Sequence, residues 1–302
     1  MMQNSQGVSR PETSDTLAAA RSFLFVPATR PERFAKALGS PAHAVIIDLE
    51  DSVAPSEKAR ARDALANAFG QLSGEQRSRV LVRMNAHGTA WCPDDLKLLC
   101  QLGAQGLTGA MVSKSESSDA LCGISQALGA TVALLPQIES VAGLDAVDAL
   151  ARVSGVCRLV FGNLDFQADL GLACAPDETE LMPVRLALVL ASRRANLAAP
   201  VDGVTLGTHD NMQLHADAQR SRRAGFGAKL CIHPAQVAVV NAAFAPTDAE
   251  IDWARRVLRE FEACAGAVFT LDGRMVDAPV VRLARRALAS CEPAASDTGS
   301  GS

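Results

Sequence analysis

Phe23-Leu-Phe-Val26-Pro27-Ala-Thr-Arg30-Pro31-Glu-Arg-Phe-Ala-Lys36-Ala-Leu-Gly39 is the stretch that decides between two architectures. Its apolar start reads as a buried strand. The helix after it has Pro31 in its first turn and Gly39 past its end, the usual asymmetry of helix termini. A doubly wound nucleotide-binding sheet would place GxGxxG at this first turn, and no such run stands there. The same alternation then repeats. Strands are predicted over 23–26, 44–48, 80–84, 110–112, 132–137, 158–161, 203–206 and 228–232. Helices are predicted over 31–39, 56–69, 94–102, 117–128, 141–151, 183–196, 211–224 and 234–244. Eight strand–helix pairs require parallel strands and crossovers, and their number points to a closed (β/α)8 TIM barrel over residues 21–246. Gly225-Phe-Gly227-Ala-Lys229 leads into a strand and lacks Walker spacing, so it reads as a turn.

The flanks differ from the barrel. Residues 1–20 are polar and read as a flexible N-terminal arm without the apolar core of a secretion signal. After residue 246 a charged helix is predicted over 247–264, then a hairpin turning at Asp272-Gly273, then a helix over 279–290. This C-terminal arm, 247–290, is of the kind that packs on a neighbouring subunit, and the Ser/Gly/Ala-rich 291–302 reads as a disordered tail.

Composition narrows the chemistry. The 302 residues carry a net charge of −4, with 48% hydrophobic and 21% charged residues. That excludes global disorder and offers no basic footprint for nucleic acid or anionic membranes. No apolar run approaches the ~18 residues of a membrane span. The eight cysteines include no CxxC pair and read as buried thiols of a cytoplasmic protein, without zinc or disulfides. Tyrosine is absent, so proton transfer falls to carboxylates, Lys, Cys or His.

In a (β/α)8 barrel the site lies at the C-terminal strand ends. Strand two ends in Asp48-Leu-Glu50-Asp51, strand three in Arg83-Met-Asn85, strand five in Gln137-Ile-Glu139. Gly162-Asn-Leu164-Asp165 follows strand six, and His233-Pro234 follows strand eight. Glu139 and Asp165 stand on adjacent strands, where two close like charges call for a cation or a shared proton. With only oxygen donors nearby, the hard cation Mg2+ suits them best, with Mn2+ an alternative. The competing reading makes both residues helix N-caps. Arg83 is either a fork for a substrate carboxylate or a structural partner of Glu50 or Asp51. His233 reads as a turn cap, and His209 is a weaker site candidate.

The residues also carry a resemblance. Arg21-Ser-Phe-Leu-Phe-Val-Pro27, Asp48-Leu-Glu-Asp-Ser-Val-Ala-Pro55, Val82-Arg-Met-Asn85 and Gln137-Ile-Glu-Ser140 resemble the citrate lyase β-subunit-like family of the HpcH/HpaI aldolase group. So do Phe161-Gly-Asn-Leu-Asp165, Lys229-Leu-Cys-Ile-His-Pro-Ala-Gln236 and Asp272-Gly-Arg-Met-Val-Asp-Ala-Pro279. The likeness runs in order from Arg21 to about Ala289, and its members include malyl-CoA, citramalyl-CoA and citryl-CoA lyases.

The resemblance implies a Mg2+-dependent carbon–carbon lyase that splits or forms a β-hydroxyacyl-CoA thioester, giving a 2-oxo acid and an acyl-CoA. It implies Mg2+ on Glu139 and Asp165, Arg83 on the 2-oxo acid or its alkoxide precursor, Leu164 against the substrate, and backbone near Ile232 and His233 at the thioester end. Phe25, Arg30 and Lys36 match positions that hold CoA, while Asp48, Glu50 and Asp51 support the polar loops. Asp277 matches a catalytic acid delivered by the arm into the neighbouring subunit's site, in a homotrimer or hexamer. Three departures bear on substrate choice: Ala28 where the family usually has glycine, Val112-Ser-Lys-Ser-Glu116 without the usual proline, and Gly207-Thr-His-Asp210. The alternatives are an HpaI-like aldolase on free 2-oxo acids, a malyl-CoA thioesterase, and a subunit of a citrate lyase complex.

Overall fold

The computed structural model describes residues 12–289. β1 (Ser22–Pro27), β2 (Ala44–Asp48), β3 (Val80–Met84), β4 (Gly109–Val112), β5 (Ala133–Ile138), β6 (Val160–Phe161), β7 (Val201–Asp202) and β8 (Ala228–Cys231) follow one another around a closed barrel. Every neighbouring pair is parallel, including β1 with β8. The predicted (β/α)8 barrel is therefore the fold. Phe23, Ile46, Leu81, Met111, Leu135, Val160, Val201 and Leu230, one from each strand, form a single apolar cluster, as the two-residue period of strands requires.

The first twenty residues need correction. Glu12–Ala19 is a helix rather than a loose arm, and Leu17 and Ala20 are buried in the barrel cluster. Leu17 fits because Gly109 opposite has no side chain; a Cβ there would stand 2.9 Å from Leu17 Cδ1. Arg158, fully buried, fastens this floor. Its Nη1 donates to the carbonyls of Leu17 (3.1 Å) and Ala20 (2.6 Å), its Nε to that of Ala199 (2.7 Å), and it lies over the Phe23 ring. Burial pushes its pKa down to about 10. Arg158→Met would leave three carbonyls without a donor. We expect a loss of about 3 kcal/mol, read as a lower denaturant midpoint. Residues 1–11 and the 291–302 tail lie outside the described residues.

Strand seven also lies elsewhere than the apolar pattern suggests. It is Val201–Asp202, not 203–206. The pattern misleads because Asp202 sits fully buried inside the strand, where Arg185 and Ser221 satisfy its carboxylate. The predicted 141–151 helix is two short ones, Val141–Asp145 and Val147–Leu150.

The chain divides into two compact units, Met1–Asn241 and Ala242–Ser302. In the second, a capping box of Thr247 and Glu250 starts the helix Asp248–Ala263. Antiparallel β9 (Phe269–Leu271) and β10 (Arg274–Val276) turn at Asp272-Gly273, both with positive φ, as a two-residue hairpin requires. With the helix Ala278–Ala289 they bury Ala254, Val257, Val276, Val281 and Ala284 in a separate core. No described helix is long and apolar enough to cross a membrane.

Candidate active site

The C-terminal ends of the strands enclose a cavity of about 390 Å³. One wall is polar: Asp48, Asp51, Arg83, Gln137 and Asp165. The other is apolar: Phe25, Pro27, Val204, Leu230 and Ile232.

Arg83 anchors the polar wall. Asp48 and Arg83 are register partners on β2 and β3, so their side chains leave the same face. Arg83 Nε and Nη2 each donate to one Asp48 carboxylate oxygen at 2.7 Å, while Nη1 lies 3.0 Å from Glu50 and 3.5 Å from Asp51. Its guanidinium covers the Phe25 ring at 4.7 Å. Burial opposes ionisation of Asp48, but the Arg83 charge and hydrogen bonds outweigh it and hold the carboxyl below its usual range. Arg83 is thus paired, chiefly with Asp48 rather than with Glu50 or Asp51, and it lines the cavity.

The loop after β2 is held from below by a residue the sequence reading passed over. Lys58 donates to the carbonyls of Leu49 (2.7 Å) and Glu50 (2.8 Å) and to Asn85 Oδ1 (2.7 Å), and lies over Trp91. Asn85 is in turn gripped by Asp95, which pairs with Arg62. The signal was there: Lys58 shares the buried face of its helix with Ala61, Leu65 and Phe69, and a lysine on an apolar stripe must find acceptors.

Glu139 follows β5 and is almost fully buried. It accepts from the Lys114 backbone N–H at 2.7 Å and from Gln137 Nε2 at 2.5 Å. It packs so tightly under β6 that a Cβ on Gly162 would stand 2.5 Å from Glu139 Cβ. Burial, reinforced by the charges of Glu50 and Asp165, pushes its pKa up to about 8. Burial and Glu50 likewise push Asp51 up to about 6. Asp165 lies in the first turn of the helix Asn163–Leu170, with Leu164 half exposed beside it.

Neither Glu139 nor Asp165 is a helix cap. Ser140 caps Val141–Asp145 by accepting from Gly143, and Gly162 occupies the cap position before Asn163. Instead both carboxylates face Lys114. Its Nζ stands 2.9 Å from Glu50, 3.4 Å from Asp165 and 4.0 Å from Glu139. Lys114 adopts a left-handed backbone, φ 43°, which aims its N–H at Glu139 while its side chain reaches across the acids. Five carboxylates here face the cations of Arg83 and Lys114, with the Lys58 ammonium beneath the β2 loop as a third.

The remaining expected residues are more scattered. Arg30 and Lys36 are exposed and do not line the cavity; Arg30 pairs with Glu32 at 2.7 Å. The Ile232 and His233 N–H groups are both taken by Gln236 Oε1, at 2.9 and 3.3 Å, while its Nε2 holds the Thr205 and Gly207 carbonyls. His233 Nδ1 accepts from the Ala235 N–H and so caps its own turn. Asp277 begins the helix Ala278–Ala289, its carboxylate accepting from the Val280 N–H at 3.3 Å.

Residues 21–234 match the family described as HpcH/HpaI aldolase/citrate lyase. The chain belongs to that family. It is an enzyme family. Among curated members, the chain is 32% identical over 275 residues to a (3S)-malyl-CoA thioesterase of Cereibacter sphaeroides, covering 90% of this chain and 94% of that protein. It is 35% identical over 285 residues to a citrate lyase subunit beta-like protein of Mycobacterium tuberculosis, covering 93% and 98%. A crystal structure of CitE from Mycobacterium tuberculosis in complex with magnesium, acetoacetate and coenzyme A matches with a TM-score of 0.77. The two share 33% identity over 90% of this chain and 98% of that one.

Proposed function

We propose that this family member is a Mg2+-dependent carbon–carbon lyase of CoA thioesters, acting on a β-hydroxyacyl-CoA of the malyl, citramalyl or citryl type. The observation that carries the reading is the excess of carboxylates over cations on the polar wall, with a buried Glu139 whose ionisation lacks a full counter-charge. A dication supplies that charge. The donor set fits Mg2+, because the acids are hard oxygen ligands. Two carboxylates, Glu139 and Asp165, would thus leave most of the shell to water and substrate, as Mg2+ prefers. Gln137 Oε1, buried and without a protein donor, fits the same picture as an acceptor for a water or hydroxyl at the cavity wall.

When bound, the ion supplies Lewis-acid stabilisation of oxygens that gain negative charge. The rest is work for side chains. Arg83 points Nε and Nη2 at Asp48 and Nη1 at Glu50 and Asp51, which fixes its plane and would leave one Nη2 N–H for a 2-oxo acid carboxylate. Leu164 and Asp165 present the positive end of the helix Asn163–Leu170 to the same group. The apolar wall takes the acyl carbons. In cleavage the substrate hydroxyl passes its proton to water in the cavity, the carbon–carbon bond breaks, and a 2-oxo acid departs from a thioester enolate. Asp277, carried by the C-terminal unit of a neighbouring copy in a trimer or hexamer, returns a proton to the enolate carbon; in synthesis it removes it. Phe25, stacked with Arg83 at the cavity wall, would hold the CoA moiety together with the exposed Arg30 and Lys36.

A second reading is favoured by the 32% identity to a (3S)-malyl-CoA thioesterase, in which water attacks the thioester carbonyl and releases malate and CoA thiol. Titrating acetyl-CoA and propionyl-CoA with Mg2+ and glyoxylate, pyruvate or oxaloacetate tests the site. The lyase reading expects Mg2+-dependent binding of one CoA ester, strengthened by one oxo acid. Binding of an oxo acid through Mg2+ with no CoA affinity would replace it with a free-acid aldolase. Malyl-CoA then separates the two thioester reactions. Glyoxylate and acetyl-CoA mean lyase, whereas free thiol and malate mean thioesterase.

A further inference from the structure

We propose that Lys114 is a built-in counter-cation whose ammonium gathers Glu50, Glu139 and Asp165 before a divalent ion arrives and is displaced by it, so that Lys114 sets the affinity for the ion. This rests on the reading that Glu139 and Asp165 hold the metal. The geometry supports competition rather than cooperation. Nζ lies within 2.9 to 4.0 Å of all three acids, in the space between the carboxylates that would ligate. An ammonium and a dication repel strongly at such separations, so the two exclude each other there.

Arg83 and Lys114 are built differently. Arg83 is buried, clamped by two 2.7 Å bonds to Asp48, and covered by Phe25; it stays. The Lys114 side chain is 39% exposed and has no carbonyl or aromatic tether of the kind that fixes Lys58. It can swing to solvent while its backbone N–H keeps Glu139 in place at 2.7 Å. The left-handed turn at φ 43° separates these duties, one on the main chain and one on the side chain.

The test compares Mn2+ binding by calorimetry and electron paramagnetic resonance in the wild type, Lys114→Met and Lys114→Arg. Removing the competing charge while keeping every carboxylate should tighten Mn2+ by about tenfold in Lys114→Met, and Lys114→Arg should bind no tighter than wild type. Equal or weaker binding by a folded Lys114→Met overturns the proposal. A measurement on the wild type stands apart from any folding defect: acetic anhydride labelling of Lys114, read by mass spectrometry, should rise when Mg2+ is added. Unchanged or reduced labelling in the presence of bound metal overturns it. If neither wild type nor Lys114→Met binds Mn2+, the metal reading itself fails, and the proposal falls with it.

Discussion

Glu139→Gln is expected to weaken Mg2+ or Mn2+ binding by at least about 100-fold, since even partners behind a metal ligand are commonly worth 10–100-fold. Turnover should fall with it. The substitution keeps the size of the side chain and its place under Gly162, so the barrel should fold. Two further signatures follow from the protonation of Glu139. Burial and Glu50 raise it from 4.5 to about 8 without metal, so at pH 7 the metal-free wild type carries a proton there. Metal binding must release it. Calorimetry in buffers of different ionisation enthalpy should show close to one proton released at pH 7 in wild type and a smaller release in the variant. Because the folded pKa lies above the unfolded value, the folded state binds the extra proton. Metal-free wild type therefore loses stability as pH rises from about 4.5 to about 8, and the variant should show a smaller loss, the part that Asp51 contributes. Thermal melts across that range check the sign. A pH-independent gap between the two proteins would contradict the assignment.

Asp277→Ala should leave metal binding intact and lower turnover by about 10²–10⁴-fold, the usual worth of a general acid or base. Its local structural duty is small, a 3.3 Å cap on the helix Ala278–Ala289, and caps of this kind cost about 1 kcal/mol. A fall in turnover without a fall in folding therefore isolates chemistry. The assignment to a neighbouring copy can be checked separately. Mixing Asp277→Ala with Glu139→Gln protein under conditions of subunit exchange should restore part of the activity, because some sites then combine an intact Asp277 with an intact Glu139. No recovery after proven exchange would place Asp277 in its own chain's site or outside catalysis.

The barrel was legible because most of its strands are largely apolar runs and several of its helices carry proline or glycine at their ends. Asp48, Glu50, Arg83, Glu139 and Asp165 could be singled out for a related reason: each is charged at or just beyond the end of an apolar run. What escaped was polar matter in places where pattern expects none. Asp202 sits inside β7, Arg158 under the barrel floor and Lys58 on an apolar helix face, and each is stabilised only by partners far along the chain. Leu17 escaped differently. One buried leucine on an eight-residue helix gives too little periodicity to distinguish from a loose arm. Lys114 was visible in Val112-Ser-Lys-Ser-Glu116, yet its reach to three acids depends on a left-handed turn that no residue type there announces.

The two walls of the cavity belong to different arcs of the barrel. The charged groups come from β2 through the turn after β6, and the apolar ones mostly from β7, β8 and β1. Such a division makes the chemistry and the choice of substrate separately heritable. Val204, Leu230 and Ile232 can drift in size without disturbing the carboxylates opposite. One scaffold can thereby give rise to descendants that share a reaction and differ in the molecule they accept.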